Sequence, residues 1–225
     1  MGVPFEIIAT GSTGNAVVLN DFILIDCGVS YKAIAPYARK LKLVLLTHIH
    51  GDHFRESTIR KLAENRPRLR FAGCRWMTRS LVRAGVKPEN IDVLECDGTA
   101  YAYGICNVVP VLLHHDVPNC GYKIEFPPDY KKVFYATDTG NLNGITAKNY
   151  DLYMIEANYG EQEIRERIAA KKEAGEFVYE RRALEYHLSR EACDDFIYRN
   201  IGANGEYVYL HQHQERGPSD DRQDH

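Results

Sequence analysis

Apolar residues run through this chain in short blocks, and most blocks have the length and β-branched content of strands. Blocks at 5–9, 16–19 and 22–28 open the chain, with Asn20-Asp21 as a hairpin turn between the last two. Further strands are predicted over 43–46, 68–72, 91–94, 101–103 and 105–113. Residues 120–126 and 131–136 predict a second hairpin across Pro127-Pro128-Asp129, and 151–158 and 207–210 supply the last strands. Helical spacing appears at 30–40, where Ser30 is the cap, at 55–65, and at 78–84, which Gly85 ends. A further helix is predicted over 160–172, and a last one runs from the cap Ser189 to 200 and stops at Gly202. The loop Thr10-Gly11-Ser12-Thr13-Gly14-Asn15 is turn-rich. Strands interleaved with helices predict an α/β fold in one domain over 1–213, and the polar stretch 214–225 is expected to be a disordered tail.

Composition narrows the setting. With 225 residues, 44% of them hydrophobic, the chain can bury a sizeable core. No run of about 18 apolar residues occurs, so neither a membrane span nor a membrane partner is expected. Met1-Gly2-Val3-Pro4-Phe5 lacks a basic region before an apolar core, so no secretory signal is expected, and Glu6 argues against myristoylation at Gly2. Cys27, Cys74, Cys96, Cys106, Cys120 and Cys193 are scattered with no C-x-x-C pair, which predicts reduced thiols and a cytoplasmic location.

The net charge of −3 does not mark a nucleic-acid binder, but its distribution is uneven. Residues 55–87 hold ten Lys or Arg against only Glu56 and Glu64. That block is either a solvated helix surface or a positive rim that draws in a phosphate backbone. Residues 161–185 carry six basic and seven acidic side chains and read as a solvated helical insertion.

The chemistry concentrates in Thr47-His48-Ile49-His50-Gly51-Asp52-His53, directly after the apolar block 43–46. Three imidazoles and a carboxylate at one strand end would repel one another if charged and bury several polar groups if neutral. A divalent cation removes both problems, and this donor set suits zinc, iron, nickel or manganese better than calcium or magnesium. Other strands also end in candidate ligands. The block 105–113 runs into His114 and His115, 131–136 into Thr137-Asp138-Thr139-Gly140, 151–155 into Glu156, and 207–210 into His211 and His213. Asp26 closes the third strand, either as a turn cap or as an acceptor that fixes a liganding histidine.

The T-H-x-H-x-D-H string resembles the signature of the metallo-β-lactamase superfamily. That resemblance implies an αββα sandwich of two mixed sheets flanked by helices, with two divalent metals (zinc or manganese, with iron an option) at one edge. It implies a first metal on His48, His50 and His115 and a second on Asp52, His53 and His211, with Asp138 bridging and Asp26 in support. His115 is preferred to His114 because H-D-x-P-N-x-G-Y resembles related phosphodiesterases, and His211 to His213 because it directly follows the strand. Two metals about 3.5–4 Å apart can activate a shared water for hydrolysis.

Met154-Ile155-Glu156-Ala157-Asn158 and His187-Leu188-Ser189 resemble elements of the RNase Z branch, which implies that Glu156 orients His187 as general acid while Asp52 joins the catalytic set. The residue-level alternative makes Glu156 a strand cap and His187 a helix-flanking residue. The G-S-T-G-N, T-D-T-G, E-A-N and H-L-S strings are similar in order to the YycJ-like (WalJ) bacterial and phage group. That likeness implies a nuclease, exonuclease-like, with DNA favoured over RNA as partner. The chain departs from that group in its charged stretch before His187 and in its H-Q-H-Q-E ending, and it is too short for the β-CASP insertion of RNase J. A glyoxalase II-like thioesterase or lactonase on the same metals is the competing expectation. Iron-based redox chemistry fits less well, because the family's redox members carry an acid where this chain has His50.

Overall fold

A computed structural model of the protein describes residues 2–178 and 180–212. His213 and the tail 214–225 lie outside the described residues. The strands form two mixed six-stranded sheets. The first runs in spatial order β1 (Phe5–Ala9), β2 (Ala16–Leu19), β3 (Ile23–Ile25), β4 (Leu43–Leu46), β5 (Arg70–Cys74), β6 (Ile91–Leu94). The second holds β7 (Tyr101–Ala102), β8 (Asn107–Leu113), β9 (Asn119–Phe126), β10 (Lys131–Ala136), β11 (Leu152–Glu156) and β12 (Glu206–Leu210), again as neighbours in sequence order.

Side-chain alternation explains the layering. In β4, Leu43 and Leu45 point to the core between the sheets, while Val44 and Leu46 point to the helices outside. A strand covered on both faces is apolar throughout, which is why this block shows no polar alternation. Helices α1 (Tyr31–Ala38), α2 (Glu56–Asn65) and α3 (Thr78–Arg83) cover the first sheet through Ile34, Ile59, Leu62 and Leu81. Helix α6 (Arg190–Asn200) covers the second through Cys193, Phe196 and Ile197. Two mixed sheets between helix layers make the αββα sandwich.

Strand direction positions the site. β3, β4, β5 and β6 are mutually parallel, and so are β10, β11 and β12. β8 runs antiparallel to β9, and β9 to β10, so β8 shares the direction of β10. Their carboxyl ends therefore gather at one edge, where ligands settle on such sheets.

Differences from the predicted elements are local. β5 starts two residues later than expected and passes through Gly73, where a side chain would crowd Met77 and the Leu46 carbonyl. β8 starts at Asn107 because Tyr103 N–H donates to the Cys106 carbonyl in a turn. The charged stretch folds as two helices, α4 (Glu161–Ala174) and α5 (Glu180–Tyr186), with Gly175 left-handed at the end of α4. It is not wholly solvated, since Glu180 is buried and pairs with Lys171 at 2.6 Å. Within the basic block, Arg66 donates to the Ala38 and Leu41 carbonyls, while Arg70, Arg75 and Arg83 pair with Asp92, Glu95 and Glu56. Those four charges serve the fold, which weakens the block as a phosphate-binding rim. All six cysteines are free thiols. No helix among the described residues is long and apolar enough to cross a membrane.

Candidate metal centre

The turn after β4 carries the densest chemistry. Thr47 and His48 are fully buried, His53 likewise, and His50 faces the opening. His48 Nε2 lies 3.2 Å from His50 Nδ1, and His115 Nε2 lies 3.3 Å from the same atom. A tetrahedral zinc with bonds of about 2.0–2.1 Å places neighbouring donors about 3.4 Å apart. Three ring nitrogens thus stand at the spacing of one cation's ligands. His115 supplies the β8 end of this group, whereas His114 is exposed and stacks on Tyr186.

A second group adjoins it. His53 Nε2 lies 3.6 Å from Asp52 Oδ2 and 2.9 Å from Asp138 Oδ2, and His211 Nε2 lies 3.8 and 3.6 Å from Asp52 and Asp138. His48, His53 and Asp138 also offer donors close enough to share an ion, so Asp138 stands between the groups. Three of these residues leave their strands with left-handed backbone: Asp26 (φ 61°), Asp138 (φ 53°) and His211 (φ 49°). Such a turn swings the side chain across the sheet edge instead of along the strand.

Four of the five converging imidazoles have a hydrogen-bond partner on the far nitrogen. His53 Nδ1 donates to Asp26 Oδ2 at 2.7 Å, and the same carboxylate accepts from Thr47 N–H at 2.9 Å. Thr47 Oγ1 meets His48 Nδ1 at 2.9 Å, and His115 Nδ1 donates to the Tyr186 carbonyl at 3.1 Å. His211 Nδ1 faces Glu156 Oε1 and Asn158 Nδ2, both at 3.2 Å. These partners fix ring orientation and tautomer.

Sequence reasoning left Asn15, Asn119 and Asn158 without roles. The Asn15 side chain closes its own loop on Gly11 and reaches Asp52, and its backbone N–H donates to the Asp52 carbonyl at 2.6 Å. Asn119 donates to the Thr137 and Asp138 carbonyls at 2.9 and 2.7 Å and so holds the Asp138 turn. Both lie in strings quoted above, but only the assembled loops show what an amide does there. Gly28 is another such residue: a Cβ on it would stand 1.6 Å from the Asp52 carbonyl oxygen.

Glu156 and His187 meet at the same edge. His187 Nδ1 lies 2.5 Å from Glu156 Oε1, and Thr139 N–H donates to Glu156 Oε2 at 2.9 Å. The His187 ring stacks on His211 at 5.2 Å, and its Nδ1 is 3.7 Å from Asp138.

Burial and the neighbouring carboxylates act differently on the imidazoles of the two groups. Burial, with His53 alongside, pushes the His48 pKa well below the usual range. Burial opposes charge on His53, but Asp138 and Asp26 outweigh it and hold its pKa well above that range. Burial likewise opposes charge on His211, and Asp138, Asp52 and Glu156 raise its pKa to about 10. Asp138 resists its own burial through His53 and His211, and its pKa lies well below the carboxylate range. Burial disfavours charged His187, yet the Glu156 hydrogen bond raises its pKa.

The His and Asp clusters fit a divalent metal site. Donor chemistry points the same way, since imidazole and carboxylate together suit a borderline cation. The buried Nε2 of His211, aimed between Asp52 and Asp138, has no hydrogen-bond partner among the described residues. A buried polar atom without a partner is costly, and a cation would supply one.

Comparison with known proteins agrees on architecture. The family profile described as a beta-lactamase superfamily domain matches residues 22–190. The metallo-beta-lactamase fold protein YhfI from Bacillus subtilis superposes with a TM-score of 0.69 at 16% identity, covering 94% of this chain and 87% of that one. Human tRNase Z, short form, gives 0.66 at 16% identity over 93% and 92% of the two chains. A diphosphatase from the PhnP family gives 0.65 at 12% identity over 94% and 87%. No curated protein matches the sequence.

Proposed function

Since the chain belongs to the beta-lactamase superfamily, we propose that it is a dinuclear, metal-dependent phosphodiester hydrolase, a nuclease that acts exonucleolytically on DNA. His48, His50 and His115 would hold one cation and Asp52, His53 and His211 the other, with Asp138 shared between them. Two cations there would supply water activation and neutralise charge on the transferring phosphoryl group.

The observation that carries the reading is the Glu156–His187 pair beside Asp138. A phosphodiester expels a poorly stabilised alkoxide, which needs a proton as it leaves. Glu156 faces Nδ1 of His187, so Nε2 is the atom left to deliver it, and the ring is partly open to solvent. The carboxylate favours the protonated imidazole and holds it in one orientation. A thiolate leaving group would have no use for this pair, so the geometry favours phosphodiesters over thioesters. Two neighbours of the fold are named as a tRNase and a diphosphatase, which supports phosphorus–oxygen chemistry. DNA is preferred to RNA on the likeness of the G-S-T-G-N, T-D-T-G, E-A-N and H-L-S strings to the YycJ-like group.

The test is a panel of single- and double-stranded DNA, RNA, thioester and lactone substrates, each with manganese and zinc. DNA degradation from an end is expected, and it should vanish in Asp138→Ala and collapse in His187→Ala. Thioester or lactone turnover with His187→Ala silent would replace this reading with the carbonyl-ester one.

A further inference from the structure

Resting on the cation reading above, one imidazole remains to be accounted for. His48, His53, His115 and His211 each turn their non-converging nitrogen to a partner: Thr47, Asp26, the Tyr186 carbonyl, and Glu156 with Asn158. His50 directs Nδ1 at the cluster, which leaves Nε2 facing outward. The nearest carboxylate to that atom is Asp116, whose Oδ1 lies 3.4 Å from His50 Nε2 and 3.2 Å from His115 Nε2. The other oxygen, Oδ2, accepts from Arg182 Nη2 at 2.6 Å. Arg182 belongs to α5, the far end of the charged insertion. The carbonyl of Tyr186, at the end of the same helix, accepts from His115.

We propose that Asp116 is the positioning residue for His50, that Arg182 holds Asp116 in place, and that the α4–α5 insertion thereby sets how tightly the His48–His50–His115 group grips its cation. A carboxylate on the outer nitrogen of a liganding histidine fixes its tautomer and raises its basicity. Asp116 Oδ1 stands between the outward nitrogen of His50, at 3.4 Å, and Nε2 of His115, at 3.2 Å, and it is not among the residues whose donors cluster with His48, so it is assigned as a support and not as a ligand. The insertion then bears on the same cation twice, through Asp116 on His50 and through Tyr186 on His115. An exposed ion pair adds little to stability, so cation affinity is the property to read.

The experiment uses the full-length protein, stripped of metal and titrated with zinc by calorimetry and with cobalt by visible absorption. Wild type is compared with Asp116→Ala, Arg182→Gln, Arg182→Lys and the neighbouring control Arg181→Gln. Wild type is expected to take two equivalents. Asp116→Ala should weaken one equivalent by about 10–100-fold and leave the other as it was. Arg182→Gln should weaken the same equivalent by less, Arg182→Lys should restore part of it, and Arg181→Gln should match wild type. Metal-free melting temperatures should be alike throughout, so that only the increment gained on adding zinc shrinks.

The proposal is overturned if Asp116→Ala binds both equivalents as wild type does. Parallel weakening of both equivalents, together with a lower metal-free melting temperature, overturns it too, because that marks damage to the fold. If wild type takes up neither zinc nor cobalt, the cation reading itself fails, an outcome distinct from a variant that behaves like its parent.

Discussion

The two halves of the candidate metal centre are built from different materials. The His48–His50–His115 group is three imidazoles, and one of them, His50, is open to solvent. The Asp52–His53–His211 group with Asp138 contains two carboxylates, and His53 and Asp138 are buried. Its supports come from the core: Asp26 at the end of β3, Glu156 at the end of β11 and the Asn15 loop against Asp52. The first group leans instead on the insertion. Anionic ligands on rigid strand ends hold a cation through charge and preorganisation together, whereas neutral imidazoles, with His50 among them open to solvent, rely on geometry alone. The second half should therefore be the tight one and the first the labile one.

Asp138 tests that contrast most severely, because it serves both halves. Asp138→Ala should release both cations and lower DNA hydrolysis by several kcal/mol of transition-state stabilisation, about 10³-fold or more, as read by metal analysis and steady-state rates. Next in size is His187→Ala, which should cost about 10²–10⁴-fold in kcat on DNA. On a diester with a p-nitrophenolate leaving group the loss should be much smaller, since that group departs without a proton. Equal losses on both substrates would remove His187 from the general-acid role.

A pH profile sharpens the electrostatic side. Glu156 raises the pKa of His187, so the protonated acid persists above the ordinary histidine range and is lost as pH rises through the raised value. Glu156→Gln should move the alkaline limb of kcat down toward about 6.5. Acid should act on the other limb. Protons on His53 and His211, both held by neighbouring carboxylates, compete with the cation, so zinc affinity should fall as pH falls. A smaller effect is expected of Asp26→Asn, a loss of about 10–100-fold in affinity that is greatest at the tighter equivalent, measured by chelator competition.

How much of this could be read from the chain follows from distance along it. The sandwich was legible because covered strands show as unbroken apolar blocks, and residues 43–46 were read with their observed bounds. His48 to His53 declare themselves because six residues hold four donors. His115, Asp138 and His211 are single residues at separate strand ends, and only likeness to a family drew them together. The structure brings all three to the turn after β4. Nothing in the sequence could join Arg182 to Asp116, 66 positions apart, because a charge has no period and an ion pair no spacing. The same blindness makes the insertion look purely solvated, whereas its Arg182 meets Asp116 and its Tyr186 carbonyl meets His115.

The left-handed turns at Asp26, Asp138 and His211 have a last consequence. Each asks an L-residue to hold a conformation that costs on the order of 1 kcal/mol, and only the surrounding bonds keep it there. The rim that carries the candidate site thus stores backbone strain that the sheets beneath it do not. Amide hydrogens just past these three strand ends should exchange sooner than those of β4 or β10, and loading the cations should slow them most.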